Sequence, residues 1–240
     1  MFAGPNGSGK TSLVHSLAKE FNPSGLFRIH TFINADDIAQ ELSLSGQIKL
    51  NVPASVEEIR KFFLDGGRVL APNPFLDSLN LQDGILRVDP VAVDAYVAAT
   101  IADFLRDRLF NLRRSFAFET VMSHRSKVEF FARSRKAGYR TYLYYIATES
   151  PEVNLHRVWE RVQWGGHDVP RHKVIERYHR SLGLAATAAS HSYRAYFFDN
   201  SSSVPRWIAE RSPQGHWRLQ VERSSLPRWF EESIMKAENG

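Results

Sequence analysis

The sequence predicts a three-layer α/β fold built on a parallel sheet, and three observations carry that prediction. Gly4-Pro-Asn-Gly-Ser-Gly-Lys-Thr11 reads G-x-x-x-x-G-K-T and leads straight into a helical pattern. Short apolar β-runs alternate with amphipathic helical runs along most of the chain. Several of those β-runs end in polar or acidic residues, where ligands sit in parallel α/β sheets.

The opening loop has the chemistry of a nucleotide phosphate cradle, because glycines let backbone N–H groups approach the phosphates closely. Its ATP-binding set is Gly4, Asn6, Gly7, Ser8, Gly9, Lys10, Thr11 and Ser12. Lys10 would set an ammonium against the β- and γ-phosphates, and the Thr11 hydroxyl would serve as the Mg²⁺ ligand. The helix that Thr11 opens has Leu13, Val14, Leu17, Ala18 and Phe21 on one face, and its positive end meets the phosphates. Only Met1, Phe2 and Ala3 precede Gly4, short of the roughly five residues of an ordinary strand. The first strand therefore reads as truncated, and an upstream apolar β-run is expected to complete it.

Asn22-Pro-Ser-Gly25 stops the first helix. Phe27 to Asn34 alternates as a strand and delivers Ala35-Asp36-Asp37. Either acid caps the helix starting at Ile38, and the other is free to accept a proton from a substrate hydroxyl. Residues 43–89 read as an insertion, with Ser55-Val-Glu-Glu58 as a capping box for a short helix. Asp89-Pro90 starts a long helix whose apolar face is Val93, Tyr96, Val97, Ile101, Phe104, Leu105 and Leu109. Ser115-Phe-Ala-Phe118 is a buried strand that presents Glu119-Thr120, with Glu119 placed to order Mg²⁺ water or hold a substrate hydroxyl.

Ser123 to Ala137 is helical, and Tyr139 to Ala147 is a β-rich aromatic run. Ser150-Pro151 caps a helix with Leu155, Val158, Trp159 and Val162 as its core face. Arg157 and Arg161 lie four apart on it and point the same way. Trp164 to Pro170 breaks that helix, and the next one carries Lys173, Arg177 and Arg180 on one face. Residues 151–182 are thus the expected lid, closing guanidiniums over a transferring phosphate. Ala195 to Ser201 is a last parallel strand, 206–222 a β-hairpin and 226–237 a closing helix, with Trp207, Trp217 and Trp229 as core and edge packing.

Net charge is +5, but bases and acids are mixed along the chain, which suits polyphosphate ligands and argues against nucleic acid as the partner. No run approaches the roughly 18 apolar residues of a membrane span. Cysteine is absent, which fits a reducing cytoplasm, and the histidines show no zinc-ligand spacing.

With these segments in place, the chain resembles the zeta-toxin family of P-loop kinases. The likeness runs from G-P-N-G-S-G-K-T through I-N-A-D-D at 33–37, F-E-T at 118–120 and Y-R-T-Y-L-Y-Y-I-A-T-E-S-P-E. It continues through R-V-W-E-R-V, G-G-H-D-V-P and E-R-Y-H-R-S, and so covers most of residues 1–201. The resemblance implies a single P-loop kinase domain over 1–240 with sheet order 2-3-1-4-5. It also implies ATP and Mg²⁺ as cofactors and phosphorylation of the sugar 3′-hydroxyl of UDP-N-acetylglucosamine. Lys10 and Thr11 match the family's phosphate lysine and magnesium residue, Asp36 its base, and Glu119, with Thr120, its substrate-orienting segment. Arg161 matches the first lid arginine, with Arg157 the fallback. The second has no clean counterpart, leaving His167 or Arg171 as the substitute. A toxin reading adds a small antitoxin partner.

Overall fold

A computed structural model describes residues 1–20, 31–65, 73–166 and 168–238. In chain order its strands and helices are β1 (Phe2–Ala3), α1 (Lys10–Glu20), β2 (Phe32–Ile33), α2 (Ala35–Ser45), β3 (Gln47–Lys49) and α3 (Val56–Asp65). Next come α4 (Pro74–Ser78), β4 (Asn80–Gln82), β5 (Ile85–Arg87), α5 (Ala95–Asn111), β6 (Ala117–Thr120), α6 (Arg125–Lys136) and β7 (Tyr142–Ala147). The chain closes with α7 (Pro151–Gln163), α8 (Arg171–His191), β8 (Arg194–Asp199), β9 (Arg206–Arg211), β10 (Trp217–Leu219) and a helical tail from Arg228 that passes through a π-turn at Glu231–Met235. The chain divides into two compact units, Met1–Arg28 with Glu119–Gly240, and Ile29–Phe118.

In the first unit β1 lies between β6 and β7, parallel to both, with Phe2 opposite Glu119 and Tyr144. β7 pairs in parallel with β8, and β9 and β10 follow antiparallel as the expected hairpin. Both edges of β1 are paired and both of its side chains are buried, Phe2 at 1% and Ala3 at 0% exposure. One sheet face carries an aromatic ladder across the strands: Phe2 stacks on Tyr144 at 4.9 Å, Tyr144 on Tyr196 at 5.0 Å, and Tyr196 meets Trp207 at 6.1 Å. Elsewhere in this unit's core, Phe197 packs against Tyr145, Trp217 and Phe230, the last edge-on at 5.3 Å. Phe197→Ala should cost about 3–5 kcal/mol of stability through the cavity it leaves, read as a lowered urea midpoint at unchanged slope.

The second unit holds β2 parallel to residues 117 and 118, and an antiparallel sheet in the order β3-β5-β4. Its core is Leu42, Ile59, Phe63, Phe75, Leu86, Ile101 and Leu109. The Ser55 capping box forms as its spacing predicts: the Ser55 N–H donates to Glu58 Oε2 at 2.9 Å, and the Glu58 N–H to Ser55 Oγ at 3.2 Å.

Several boundaries differ from the sequence expectation. Pro90 begins only a 3-10 turn over Pro90–Ala92, and the long helix starts at Ala95, where the Asp94 carboxylate accepts from the N–H groups of Tyr96 and Val97. Tyr96 therefore sits at the solvent-facing start, 54% exposed, and is not part of the apolar face. Trp159 is likewise 59% exposed, so the buried side of α7 is made by Asn154 and Val158. Glu119 and Thr120 lie within β6 rather than beyond its end. The Asn22–Gly25 stop and the first residues of the expected 27–34 strand lie outside the described residues.

Candidate active site

The glycine-rich loop bridges β1 and α1 and is held by residues of β7, of α7 and of the turn after β8. Gly4 has φ +148°, and a Cβ there would fall 1.9 Å from the Ile146 carbonyl oxygen, so the loop can leave β1 only through glycine. At Gly9, with φ +92°, a Cβ would fall 2.3 Å from Asn200 Nδ2. That amide donates to the Ser8 carbonyl at 2.8 Å, while the Asn200 N–H donates to the Ala147 carbonyl at 2.8 Å. Asn154, fully buried on α7, donates through Nδ2 to the Asn6 carbonyl and accepts the Thr148 hydroxyl.

Asn154 and Asn200 thus tie down the Asn6 and Ser8 carbonyls of the loop, a role that motif reading missed. The available signals were an asparagine inside a helix, a poor place for one, and an asparagine directly after an apolar strand.

Within this cradle Lys10, 6% exposed, donates from Nζ to the Pro5 carbonyl at 2.9 Å and lies 3.8 Å from Glu119 Oε1. The Thr11 hydroxyl donates to Glu119 Oε2 at 2.9 Å. Register explains the meeting: β6 runs parallel beside β1, so the acid on β6 arrives next to the residues that β1 leads into. One lysine, one hydroxyl and one carboxylate converge here. That donor set fits a magnesium–triphosphate, the carboxylate and hydroxyl facing the cation and the ammonium the phosphates. The buried Asn6 Oδ1 and Ser8 Oγ make no hydrogen bond among the described residues, which fits a cradle with polar capacity to spare.

The other predicted residues are distributed as follows. Thr120 Oγ1 accepts from the Met122 N–H at 3.1 Å, which turns the chain after β6. Arg157 donates to the carbonyls of Asn200 at 2.7 Å and Ser202 at 2.9 Å, stapling the loop after β8. Arg161 is half-buried near the C-terminal end of α7, and its carbonyl accepts from the Gly166 N–H at 2.9 Å. Arg171 is exposed at the start of α8, and His167 lies outside the described residues. Above β7, burial first and the Asp199 charge second raise the Glu149 carboxyl above its ordinary range. Ser12 is exposed on the first turn of α1.

Asp36 belongs to the second unit, in the first turn of α2. The cap of that helix is Asn34, whose side chain accepts from the Asp36 N–H at 2.9 Å, and both Asp36 and Asp37 are exposed. Neither acid performs the capping that the sequence allowed to one of them. Among the described residues no cluster of three or more metal-ligating side chains of the His, Cys, Asp and Glu types occurs, and no helix is long and apolar enough to cross a membrane.

No family model matches the chain, and no curated protein matches it. Solved structures do. A chain of the AvrRxo1-ORF1:AvrRxo1-ORF2 complex with sulphate ions aligns at TM-score 0.58 and 13% identity, over 93% of this chain and 61% of that one. The complex with ATP gives 0.57 at 13% identity, over 91% and 60%. A chain of the PezAT toxin–antitoxin system of Streptococcus pneumoniae reaches 0.49 at 14% identity, over 98% and 78%, too low to argue from. At such identity the likeness to the AvrRxo1 structures is one of fold, and the present chain spans about 61% of the first neighbour's length.

Proposed function

We propose that the protein is an ATP-dependent phosphotransferase that phosphorylates a hydroxyl of a small acceptor, the 3′-hydroxyl of UDP-N-acetylglucosamine foremost. The convergence of Lys10 and Thr11 on the Glu119 carboxylate beneath a glycine-shaped loop carries this reading. A crystal structure of a complex in this fold with ATP supports the choice of nucleotide.

When bound, Mg²⁺ neutralises charge on the β- and γ-phosphates. Thr11 and Glu119 would hold the cation, and Lys10 would exchange its bond to the Pro5 carbonyl for the phosphates. Asp36 accepts the proton of the acceptor hydroxyl as its oxygen bonds to the γ-phosphorus and the β–γ bridging bond breaks, so ADP leaves. Arg161 closes over the charge that develops between them, and Arg171 or His167 supplies the second cation of the lid. Thr120 and Arg157 line the acceptor side, Arg157 by fixing its loop. The two-component nature of the AvrRxo1 complexes supports a small protein partner, an antitoxin in the toxin reading.

The test is an acceptor screen by mass spectrometry. Protein, ATP and Mg²⁺ are incubated with nucleotide sugars, nucleotides and dinucleotides, and products heavier by one phosphoryl group are sought. A gain on UDP-N-acetylglucosamine supports the full reading, and a gain on another compound keeps the kinase while discarding that substrate. ADP and phosphate with every acceptor unchanged would overturn the phosphotransferase in favour of an ATPase.

A further inference from the structure

We infer that the cleft between α6 and α8 is an anion subsite that takes the diphosphate of the acceptor, a deepening that rests on the kinase reading above. The cleft has a volume of about 480 Å³ and is lined by Ser123, His124, Arg125, Arg180, Gly183 and Leu184. That volume lies in the range of small-molecule sites and exceeds what one free phosphate would fill. No acid lines it.

Every polar side chain there offers a donor. Arg125 is exposed and has no hydrogen-bond or ion-pair partner among the described residues, so its guanidinium is available to an incoming anion. Arg180 binds Glu176 at 2.7 Å, one turn back on α8, and keeps further N–H groups for a second anion. His124 Nδ1 accepts from the Ser126 N–H at 3.3 Å, so the neutral ring carries its proton on Nε2, another donor. Two guanidiniums, an imidazole N–H and a hydroxyl match the oxygens of a diphosphate.

Gly183 is an independent indication. It stands inside the long helix α8, where glycine costs stability relative to alanine, yet a Cβ there would meet nothing within 4 Å. Close packing therefore does not require it. Its bare backbone leaves that part of the cleft wall open. The cleft also begins three residues after Thr120, on the loop that leaves Glu119.

The probe is inorganic pyrophosphate, measured by calorimetry on Lys10→Ala protein, in which the phosphate loop no longer competes. Binding should persist there, and weaken at least about tenfold when Arg125→Gln and Arg180→Gln are added. Gly183→Trp should abolish it, whereas Gly183→Ala, which fits the open space, should fold normally and keep most of it. Binding that vanishes with Lys10 alone, or is indifferent to both arginines, overturns the site. In otherwise native protein the Arg125→Gln/Arg180→Gln pair should raise the acceptor KM about tenfold or more at unchanged ATP KM. An unchanged acceptor KM overturns the assignment to the acceptor. Failure of the kinase reading shows instead as no transfer to any acceptor, with the pyrophosphate result unaffected.

Discussion

Lys10→Ala is expected to slow phosphoryl transfer by at least two to three decades, the usual loss when a preorganised donor to developing charge is removed. The ammonium is preorganised here in a specific sense. It is buried, tied to the Pro5 carbonyl at 2.9 Å, and 3.8 Å from Glu119, so it needs only to trade one acceptor for another when phosphates enter. Its removal leaves Glu119 with the Thr11 hydroxyl as its side-chain donor among the described residues, and some stability should go with it, on the order of 1–3 kcal/mol. Lys10→Arg separates the two effects. The guanidinium keeps a positive charge beside Glu119, so the urea midpoint should recover. Its planar fork cannot reproduce a point charge in so tight a loop, and transfer should stay low. Native turnover in Lys10→Ala, measured in single-turnover mixing with saturating ATP, would overturn the whole assignment of the loop.

How much of this was visible in the residues follows from what each feature requires. The glycine-rich loop was legible because its geometry demands glycine at fixed places: a Cβ at Gly4 or Gly9 would clash with Ile146 or Asn200. The pairing of Glu119 with Lys10 and Thr11 was legible only as a strand-end acid. Its convergence depends on β6 lying beside β1, a tertiary fact. The roles of Asn154 and Asn200 were only faintly marked for the opposite reason: an amide that binds backbone carbonyls works from any element that passes near, so no spacing announces it. The start of α5 was misjudged because Asp89-Pro90 and Asp94 are both sound start signals, and the chain uses the first for a 3-10 turn and the second for the helix. Trp159 misled because helical periodicity cannot distinguish an aromatic ring on the buried face from one turned to solvent.

Asp36→Asn should cut transfer by about two to four decades while ATP binding stays nearly intact, the span expected when a general base is lost. The structure separates this substitution from the capping of α2. Had Asp36 been the cap of α2, its loss would have frayed the helix and confounded chemistry with folding. Asn34 does that work, through its bond to the Asp36 N–H, and an asparagine at 36 keeps the same N–H. The substitution also removes an exposed negative charge from the first turn, whose interaction with the helix dipole is worth about 0.3–1 kcal/mol. Three decades in rate correspond to about 4 kcal/mol of barrier, several times larger, so the two contributions cannot be confused. Asp37→Asn is the matched control, with the same charge change one residue on and no base role, and it should stay within a few-fold of native. If Asp36→Asn retains native turnover, or if Asp37→Asn falls just as far, the base is not Asp36. Acceptor activation would then have to come from another group.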